Sequence, residues 1–321
     1  MRRALLAAVA LLVLAAAASW FGVRSYDAPG PLTTATAVEV PRGGLDVIAE
    51  ALQQQGVIDQ PLAFRIAALL TRGDGPLHAG ELDIPANASL RQVLAVLRSA
   101  RAVQHHLTVP EGLTAAQVAV LVERADAAIG NAPLPEEGWF LPETYSYDRG
   151  TSREALVERG RTAMERALDR SWVSRDPAVN LATPRDALIL ASIVERETAR
   201  PEERPRVAAV FLNRLRMGMK LQSDPTVAYS ANGGLGVAEH PITRAQLERD
   251  DPYNTYRIPA LPPGPICMPG AASLRAVTHP ARTDDLFFVA DGTGGHVFAR
   301  TLDEHGRNVV HWRQVERARA P

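Results

Sequence analysis

One segment near the middle of the chain constrains its fold more than any other. It runs from Leu188 to Val194 with Ser192 as its sole polar side chain, and it ends at Glu195. Thr183 followed by Pro184 is typical of a helix start, and an Asp three residues after Thr183 completes a capping-box pattern. Because a helix that is apolar on all sides is buried, the sequence predicts a core helix that carries an ionisable side chain at its end.

Glu195 is the candidate general acid at this helix end. On helical spacing it shares a face with Leu188, Ala191 and Ser192. Burial there disfavours the carboxylate and raises the pKa, as an acid that works near neutral pH requires. A charged residue can also leave a buried helix by extending its apolar stem to solvent, and we expect Glu197 to do so. The acid role would fail if Glu195 were paired with an arginine away from any groove.

Composition excludes several classes of function. A chain of 321 residues is long enough for two domains with a large core. Its net charge of -1, with both signs scattered, provides no basic field for nucleic acid. The single cysteine, Cys267, excludes an intramolecular disulfide. The histidines at 296, 305 and 311 lack the spacing of a metal-ligand motif, so we expect neither a metal nor another cofactor.

The N-terminus has the pattern of a membrane anchor. Two arginines precede an uncharged run, Ala4–Val23, and about twenty apolar residues suffice to span a bilayer. The arginines predict that the leading end stays in the cytoplasm. The alternative is a cleaved signal peptide, because small residues before Trp20 could provide a cleavage site. The aromatic pair at Trp20 and Phe21 resembles an interfacial belt and favours a retained transmembrane helix within residues 1–24.

The remaining chain divides by composition into a linker and two folded parts. Residues 25–37 contain Pro-Gly-Pro among small residues and are typical of a flexible tether. Residues 38–104 alternate between strand and helix patterns and predict a small βααβ subdomain. Residues 105–321 mix short strands with amphipathic helices, which predicts a larger α+β domain rather than a doubly wound sheet.

Several motifs together resemble one known family. In chain order they are EGWFLPETY (137–145), ASIVERET (191–198), LQSDPTVAY (221–229), DPYNTYRIPALPPGPICMPGAASLRAV (251–277) and LFFVADGTGGHVFARTLDEH (286–305). They resemble, in this order, the motifs of the YceG-like endolytic murein transglycosylase family. The resemblance is strong from residue 137 to 312 and weaker from 38 to 100.

The resemblance implies both an activity and a location. It implies cleavage of the MurNAc–GlcNAc bond within nascent glycan strands, with Glu195 as the catalytic acid and then the base. The C6 hydroxyl of the sugar would attack, so that 1,6-anhydro-MurNAc ends form without a second carboxylate. It also implies a LysM-like first subdomain, a single span of the inner (plasma) membrane and a catalytic domain on the periplasmic side. Peptidoglycan strands and peptidoglycan synthases are the implied partners.

Polar residues around the expected cleft are candidates for sugar binding. Amide, hydroxyl and carboxylate groups can hydrogen-bond sugar hydroxyls and stabilise charge that develops on the ring. The candidates are Gln222, Ser223, Asp224, Thr226, Tyr253, Asn254, Thr255, Tyr256 and Glu304. The EGW segment fits either sugar stacking or a tight turn with Trp139 in the core.

Two other functions remain open from sequence. The first is a muramidase with two carboxylates, in which Glu195 works with Asp224 or Glu304 and water attacks. The second is a non-catalytic scaffold that binds murein. Anhydro ends distinguish a lyase from the hydrolase, and loss of cleavage on replacing the acid distinguishes either enzyme from the scaffold.

Overall fold

The chain forms two compact units. The structure, a computed structural model, describes residues 2–99, 101–235 and 241–319. Met1–His105 and Ser146–Gly150 make up the first unit, and His106–Tyr145 and Thr151–Pro321 the second. The sequence placed one boundary after residue 104 and did not anticipate that a later segment returns to the first unit.

The first unit contains the expected βααβ order followed by one more helix. Strand β1 alternates outward and inward residues, with Val38 and Val40 buried, and pairs antiparallel with β2 so that Val38 faces Leu82. Helices α2 to α4 pack around Phe64, which is fully buried. The elements are α1 (Arg2–Asp27), β1 (Thr36–Val40), α2 (Leu45–Gln54), α3 (Pro61–Leu70), β2 (Gly80–Ile84) and α4 (Leu90–Ser99). Similarity to LysM stays a prediction.

Helix α1 covers the segment that the sequence predicted to cross a membrane. Several side chains within its first nineteen residues lie outside the described set. In the described portions of the chain, no helix combines the length and the apolar character needed to cross a membrane. The membrane anchor therefore stays a prediction.

The second unit is a mixed α+β domain with small two-stranded sheets, which confirms the predicted class. Within this unit, β5 pairs antiparallel with β6. The elements are β3 (His105–Thr108), α5 (Ala115–Glu123), β4 (Thr144–Tyr147), α6 (Arg153–Val173), α7 (Pro184–Glu197), α8 (Arg204–Arg216), α9 (Asp224–Ala231), α10 (Arg244–Glu248), α11 (Ala271–Thr278), β5 (Phe287–Ala290), β6 (His296–Ala299) and α12 (Leu302–Arg319).

Helix α7 is the centre of the second unit, as predicted. The Thr183 hydroxyl accepts from Asp186 N at 3.1 Å, and Thr183 N donates to the Asp186 carboxylate at 2.9 Å, so the capping box is complete. Every residue from Ala187 to Val194 is buried. Helices α6, α8, α9 and α11 pack around it. The predicted core helix is confirmed, and both glutamates lie at its carboxyl end.

Three helix starts differ from the sequence prediction, which places a helix at Val207 after the break at Pro201–Pro205, a segment crossing the cleft from Leu221 to Tyr229, and Ser273 as the cap of the helix that follows. Helix α8 begins at Arg204 rather than Val207, because Pro205 fits the first turn of a helix, where no backbone N–H is needed. The segment after Leu221 is helix α9 rather than an extended crossing, again with a proline in the first turn. Ser273 was expected to cap α11, but Gly270 is the N-cap and Ser273 is buried inside the helix.

Gly160 allows α6 to pack directly on a buried aromatic ring. A Cβ atom at this position would lie 2.2 Å from the ring of Phe140. We expect Gly160→Ala to destabilise the protein by about 1–3 kcal/mol through overpacking, although alanine favours helix by about 1 kcal/mol. Gly306, exposed in α12 with nothing within 4 Å of such a Cβ, is the matched control. Gly306→Ala should stabilise by roughly 0.5–1 kcal/mol. Urea unfolding of both variants measures this, and equal stabilities would contradict the packing account.

Candidate active site

The two glutamates at the end of α7 have different surroundings, and Glu195 is fully engaged. Its Oε1 accepts from Arg204 Nη2 at 2.7 Å, and its Oε2 accepts from the backbone N–H of Gly270 at 2.9 Å. The side chain is 4% exposed. Burial raises the pKa of Glu195, while the hydrogen bond from Gly270 N, the nearby Ser273 hydroxyl and the charge of Arg204 oppose that rise. Each oxygen of Glu195 thus already accepts one hydrogen bond from the protein.

The contacts of Glu195 extend into a network that joins three parts of the domain. Arg204 also reaches Glu111 Oε2 at 3.2 Å. A Cβ atom on Gly270 would lie 1.7 Å from Glu111 Oε1, so only glycine fits beside this carboxylate. Glu195 therefore ties α7 to the start of α8 and to the loop before α11. Its pairing with arginine argues for a structural role, and catalysis by Glu195 stays a prediction.

Glu197 is the carboxyl group with an open oxygen. It is half-buried, and its Oε2 accepts from the Ser223 hydroxyl at 2.8 Å. Its Oε1 has no hydrogen-bond partner among the described residues. The expectation that Glu197 simply extends into solvent is wrong. A carboxyl held on one oxygen and open on the other has the geometry of an acid–base group.

The electrostatic surroundings of Glu197 suit proton transfer at neutral pH. Burial raises its pKa to about 7, the Ser223 hydrogen bond lowers it, and the negative charge of Asp224 raises it again. The positive charges of His296 and Arg214 act in the opposite direction. Because the pKa lies close to working pH, both protonation states of Glu197 are populated.

Three residues expected to bind substrate are turned inward instead: Thr226 and Thr255 hold Ser223 in place, and Asn254 holds a neighbouring loop. Ser223 N donates to Thr255 Oγ1 at 2.9 Å, and Thr226 Oγ1 donates to the Ser223 carbonyl at 2.7 Å. Thr226 and Thr255 are fully buried. The buried Asn254 uses its Nδ2 to donate to three backbone carbonyls of residues 246–249. These side chains cannot reach a ligand, so the sequence-based expectation is corrected to a positioning role.

The other predicted binding residues of this region remain accessible. Gln222 is exposed and has φ of 53°, a left-handed conformation that is uncommon for any residue except glycine. Asp224 is exposed and accepts from the Tyr256 hydroxyl at 2.5 Å. Tyr253 is half-buried with its ring centroid 5.1 Å from that of Tyr229. Substrate contact by Gln222, Asp224, Tyr253 and Tyr256 therefore stays a prediction.

Glu304 has a local structural role. Its carboxylate accepts from the backbone N–H groups of Arg300 at 3.0 Å and Thr301 at 3.2 Å, at the start of α12. These hydrogen bonds lower its pKa. Glu304 is thus a helix cap, and the structure does not place its carboxylate against Glu195 or Glu197. Substrate binding by Glu304 stays a prediction.

A cleft of about 190 Å³ opens beside the end of α7. Arg196, which lies between the two glutamates, and Asp224, which follows Ser223, both line it. Neither glutamate is itself among the lining residues. The other lining residues are Gly112, Thr114, Gln117, Pro225, Ala228, Tyr229, Ile242 and Ile266.

Sequence reasoning also missed a second titrating acid, Glu137, behind the cleft. Its Oε1 accepts from Ala115 N at 3.0 Å, and its Oε2 accepts from the Tyr229 hydroxyl at 3.3 Å. Burial raises its pKa to about 7 against these hydrogen bonds. Trp139, two residues later, packs partly buried against the core, so the turn alternative for the EGW segment is the one observed.

Comparison with known proteins identifies the family. The model of the YceG-like family matches residues 38–311, which is most of the chain. The chain belongs to the YceG-like family. A crystal structure of a yceG-like protein from Listeria monocytogenes shares 26% sequence identity, covers 86% of this chain and 99% of its own, and superposes with a TM-score of 0.53.

Curated relatives of this YceG-like protein carry one name. A protein from Bacillus subtilis (strain 168), named endolytic murein transglycosylase, is 30% identical over 311 residues, which are 85% of this chain and 84% of the relative. A protein of the same name from Streptococcus pneumoniae serotype 2 is 29% identical over 322 residues. The match covers 85% of this chain but 57% of that relative.

The raised pKa of Glu137 predicts a pH dependence of stability. Because its folded-state pKa lies above the unfolded value, the folded protein binds more protons between about pH 4.5 and 7, and stability falls as pH rises through that window. We expect the loss of unfolding free energy between pH 5 and 8 to be smaller in Glu137→Gln than in the wild type. The exposed neighbour Glu136 supplies the control, Glu136→Gln. Urea unfolding at both pH values tests this, and equal losses in all three proteins would refute it.

Proposed function

We propose that this protein cleaves MurNAc–GlcNAc bonds within nascent peptidoglycan strands and leaves 1,6-anhydro-MurNAc ends, with Glu197 as general acid and then base. The observation that carries the proposal is the carboxyl of Glu197, which is held on Oε2 by Ser223, has no partner on Oε1 among the described residues, and has a pKa that burial raises to about 7. Family membership and the name shared by the curated relatives support the substrate class.

The enzyme class is supported directly by the family and the curated relatives. Curated relatives across 85% of the chain are named endolytic murein transglycosylases, and the chain is a murein transglycosylase of the YceG-like family. The bond that is cleaved, the anhydro product and the residue that acts as acid form the finer proposal.

One carboxyl can perform the whole reaction. Glu197 in its protonated form donates its proton from Oε1 to the glycosidic oxygen, and the bond to C1 of MurNAc breaks. The resulting carboxylate then accepts the proton of the C6 hydroxyl while that oxygen bonds to C1. Glu197 ends protonated, and no water is consumed. A pKa of about 7 suits both half-steps, because neither protonation state of Glu197 is rare at neutral pH.

The residues around Glu197 have separate roles in this scheme. Ser223 orients the carboxyl by donating to Oε2, and the buried threonines keep Ser223 in position. We propose that the accessible side chains of Gln222, Asp224, Tyr253 and Tyr256 contact the sugar. Polar groups placed in advance stabilise the positive charge that develops on the ring without reorganising during the reaction.

A matched pair of variants distinguishes the two glutamates. With purified full-length protein and peptidoglycan strands, we expect Glu197→Gln to lower cleavage by roughly 10²–10⁴-fold, the range typical of general acid–base catalysis, while the fold survives. Glu195→Gln should instead cost about 3–5 kcal/mol of stability, because Arg204 loses its buried partner, and should keep activity per folded molecule. An inactive but folded Glu195→Gln beside an active Glu197→Gln would transfer the acid role to Glu195.

The products distinguish the proposed lyase from its two rivals. Mass spectrometry of the released muropeptides should show anhydro ends and no incorporation of ¹⁸O from labelled water. Reducing ends that carry ¹⁸O would indicate a two-carboxylate muramidase. Intact strands after incubation with folded wild-type protein would favour a non-catalytic murein-binding scaffold.

We also propose that residues 1–24 anchor the protein in the inner membrane, with the second unit on the periplasmic side. The uncharged run Ala4–Val23 after two arginines supports this orientation.

In cell fractionation, carbonate washing should leave the wild type in membranes, and Leu12→Arg with Leu14→Arg should release it. The exposed Val47 on α2 supplies the control, Val47→Arg, which should stay bound. A mature N-terminus beyond Ser19 would show a cleaved signal peptide instead. Recruitment by peptidoglycan synthases remains a proposal from family resemblance.

A further inference from the structure

Helix α3 of the first unit is apolar on the side that faces away from its core. Phe64 points inward and is fully buried. On the opposite side, Leu62, Leu69 and Leu70 are 61%, 55% and 81% exposed, and Ile66 is exposed as well. The spacing of these four residues places them on one helix face. We call them the outer face of α3.

The two helices packed beside α3 show the usual polar exterior instead. Helix α2 exposes Asp46 and Glu50, and α4 exposes Arg91 and Gln92. In α3, Arg65 is the sole polar side chain of the sequence, and its guanidinium is paired with Asp46. A helix that is apolar on almost every side is normally covered by a protein core or by a membrane, and a contiguous exposed apolar surface marks a contact site. The outer face of α3 therefore has the character of a contact surface.

An apolar groove of about 590 Å³ joins this face to the end of α1. Phe21 and Val23 of α1 line it together with Ile66 and Leu70 of α3. The same two α1 residues close the uncharged run Ala4–Val23, whose length predicts a membrane span. The groove therefore begins where the proposed span ends, and the apolar surface continues from one helix to the other.

Contacts at the end of α1 hold this helix against the first unit. The Asp27 carboxylate accepts from Arg91 at 2.6 and 3.1 Å, and the same guanidinium lies 4.7 Å from the ring centroid of Tyr26. Helix α1 packs on both α3 and α4. The outer face of α3 thus has a fixed direction relative to the residues that end the proposed span.

The residues that adjoin the groove carry a net positive charge. Arg24 lies in sequence between two lining residues, and Arg72 follows the end of α3. Both are exposed, and neither forms an ion pair with any of the described residues. Asp27 is already neutralised by Arg91, which leaves the exposed Asp59 as the opposing charge. Two arginines against one carboxylate complement the phosphate groups of anionic lipids.

We propose that the outer face of α3 and its groove lie in the lipid–water interface of the membrane, with acyl chains against the apolar side chains and lipid phosphates against Arg24 and Arg72. The inference rests on the proposed anchor, because residues 1–24 bring α3 to the bilayer. A helix in this interface buries its apolar face by about 5–10 Å, which is enough to cover the four exposed side chains together. Lipid fits better than a second copy of the chain, because the apolar surface continues the span and basic residues adjoin it.

Site-specific fluorescence of the full-length protein in vesicles of phosphatidylethanolamine and phosphatidylglycerol tests this placement. The variant Leu69→Cys carries an environment-sensitive NBD fluorophore on the new thiol. Cys267 is fully buried and does not compete for the label in the folded protein. Nitroxide-labelled lipids should quench the label by roughly half and its emission should be blue-shifted, because it lies among acyl chains. The matched control is Val47→Cys, at an exposed apolar residue of α2 with polar neighbours, which should keep most of its fluorescence.

The outcomes separate this inference from the proposed anchor. Equal quenching at positions 69 and 47, in protein that floats with the vesicles, overturns the inference and leaves the anchor standing. A label at position 69 that is blue-shifted but not quenched indicates that protein, such as a second copy, covers the face, and this also overturns the inference. If Leu69→Cys does not fold, Leu70→Cys replaces it under the same criteria. Wild-type protein that does not float with the vesicles refutes the anchor, and the inference is refuted with it.

Discussion

The chemistry that we propose for this protein depends on one hydrogen bond at the edge of the core, from the Ser223 hydroxyl to Glu197 Oε2. The bond by itself favours the carboxylate, but the burial around α7 outweighs it, so the pKa of Glu197 rises to about 7. Thr226 and Thr255 keep the Ser223 backbone in place from inside the domain. An exposed carboxyl would titrate near its ordinary value and would be ionised at neutral pH. Burial around α7 therefore raises the pKa of Glu197, and Ser223 orients its carboxyl.

Glu195 shows how a second carboxyl on the same helix end acquires a different role. Two residues away from Glu197, it meets an arginine that is itself nearly buried, and both of its oxygens are engaged. A buried ion pair of this kind contributes little net stability compared with a well-packed apolar pair, but removing one partner leaves an uncompensated charge. It therefore specifies how α7, α8 and the loop before α11 meet. Glu195 is thus paired with Arg204, and we propose that Glu197 on the same helix end transfers the proton.

The residues between α7 and α8, together with the first residue of α8, contact both Glu195 and the β5–β6 hairpin. Arg204 donates a hydrogen bond to Glu195. Glu203, its neighbour in sequence, bonds instead to the ring of His296. Within this turn, the Thr198 hydroxyl donates to the Glu203 carboxylate. Arg200 donates to the Thr293 carbonyl and so joins the turn to the β5–β6 hairpin. Because Glu203 and Arg204 are adjacent in the chain, a shift of the backbone here would disturb the ion pair and the imidazole together. The positions of the two glutamates and of the hairpin are thus mechanically linked.

The sequence alone determined the core helix, its capping box, the βααβ order and the family, because these depend on local patterns and on motifs read in order. It named Glu195 as the acid and expected Glu197 to extend to solvent, although periodicity alone does not separate the two glutamates. A helix buried on every face has no preferred side, so its periodicity places both glutamates next to apolar residues. Our proposal of Glu197 as the acid rests on partners elsewhere in the chain: Arg204 lies nine positions from Glu195, and Ser223 lies 26 positions from Glu197. Likewise, only tertiary packing decided that Thr226, Asn254 and Thr255 face inward, because a polar residue type does not reveal whether its partner is a sugar or the protein's own backbone.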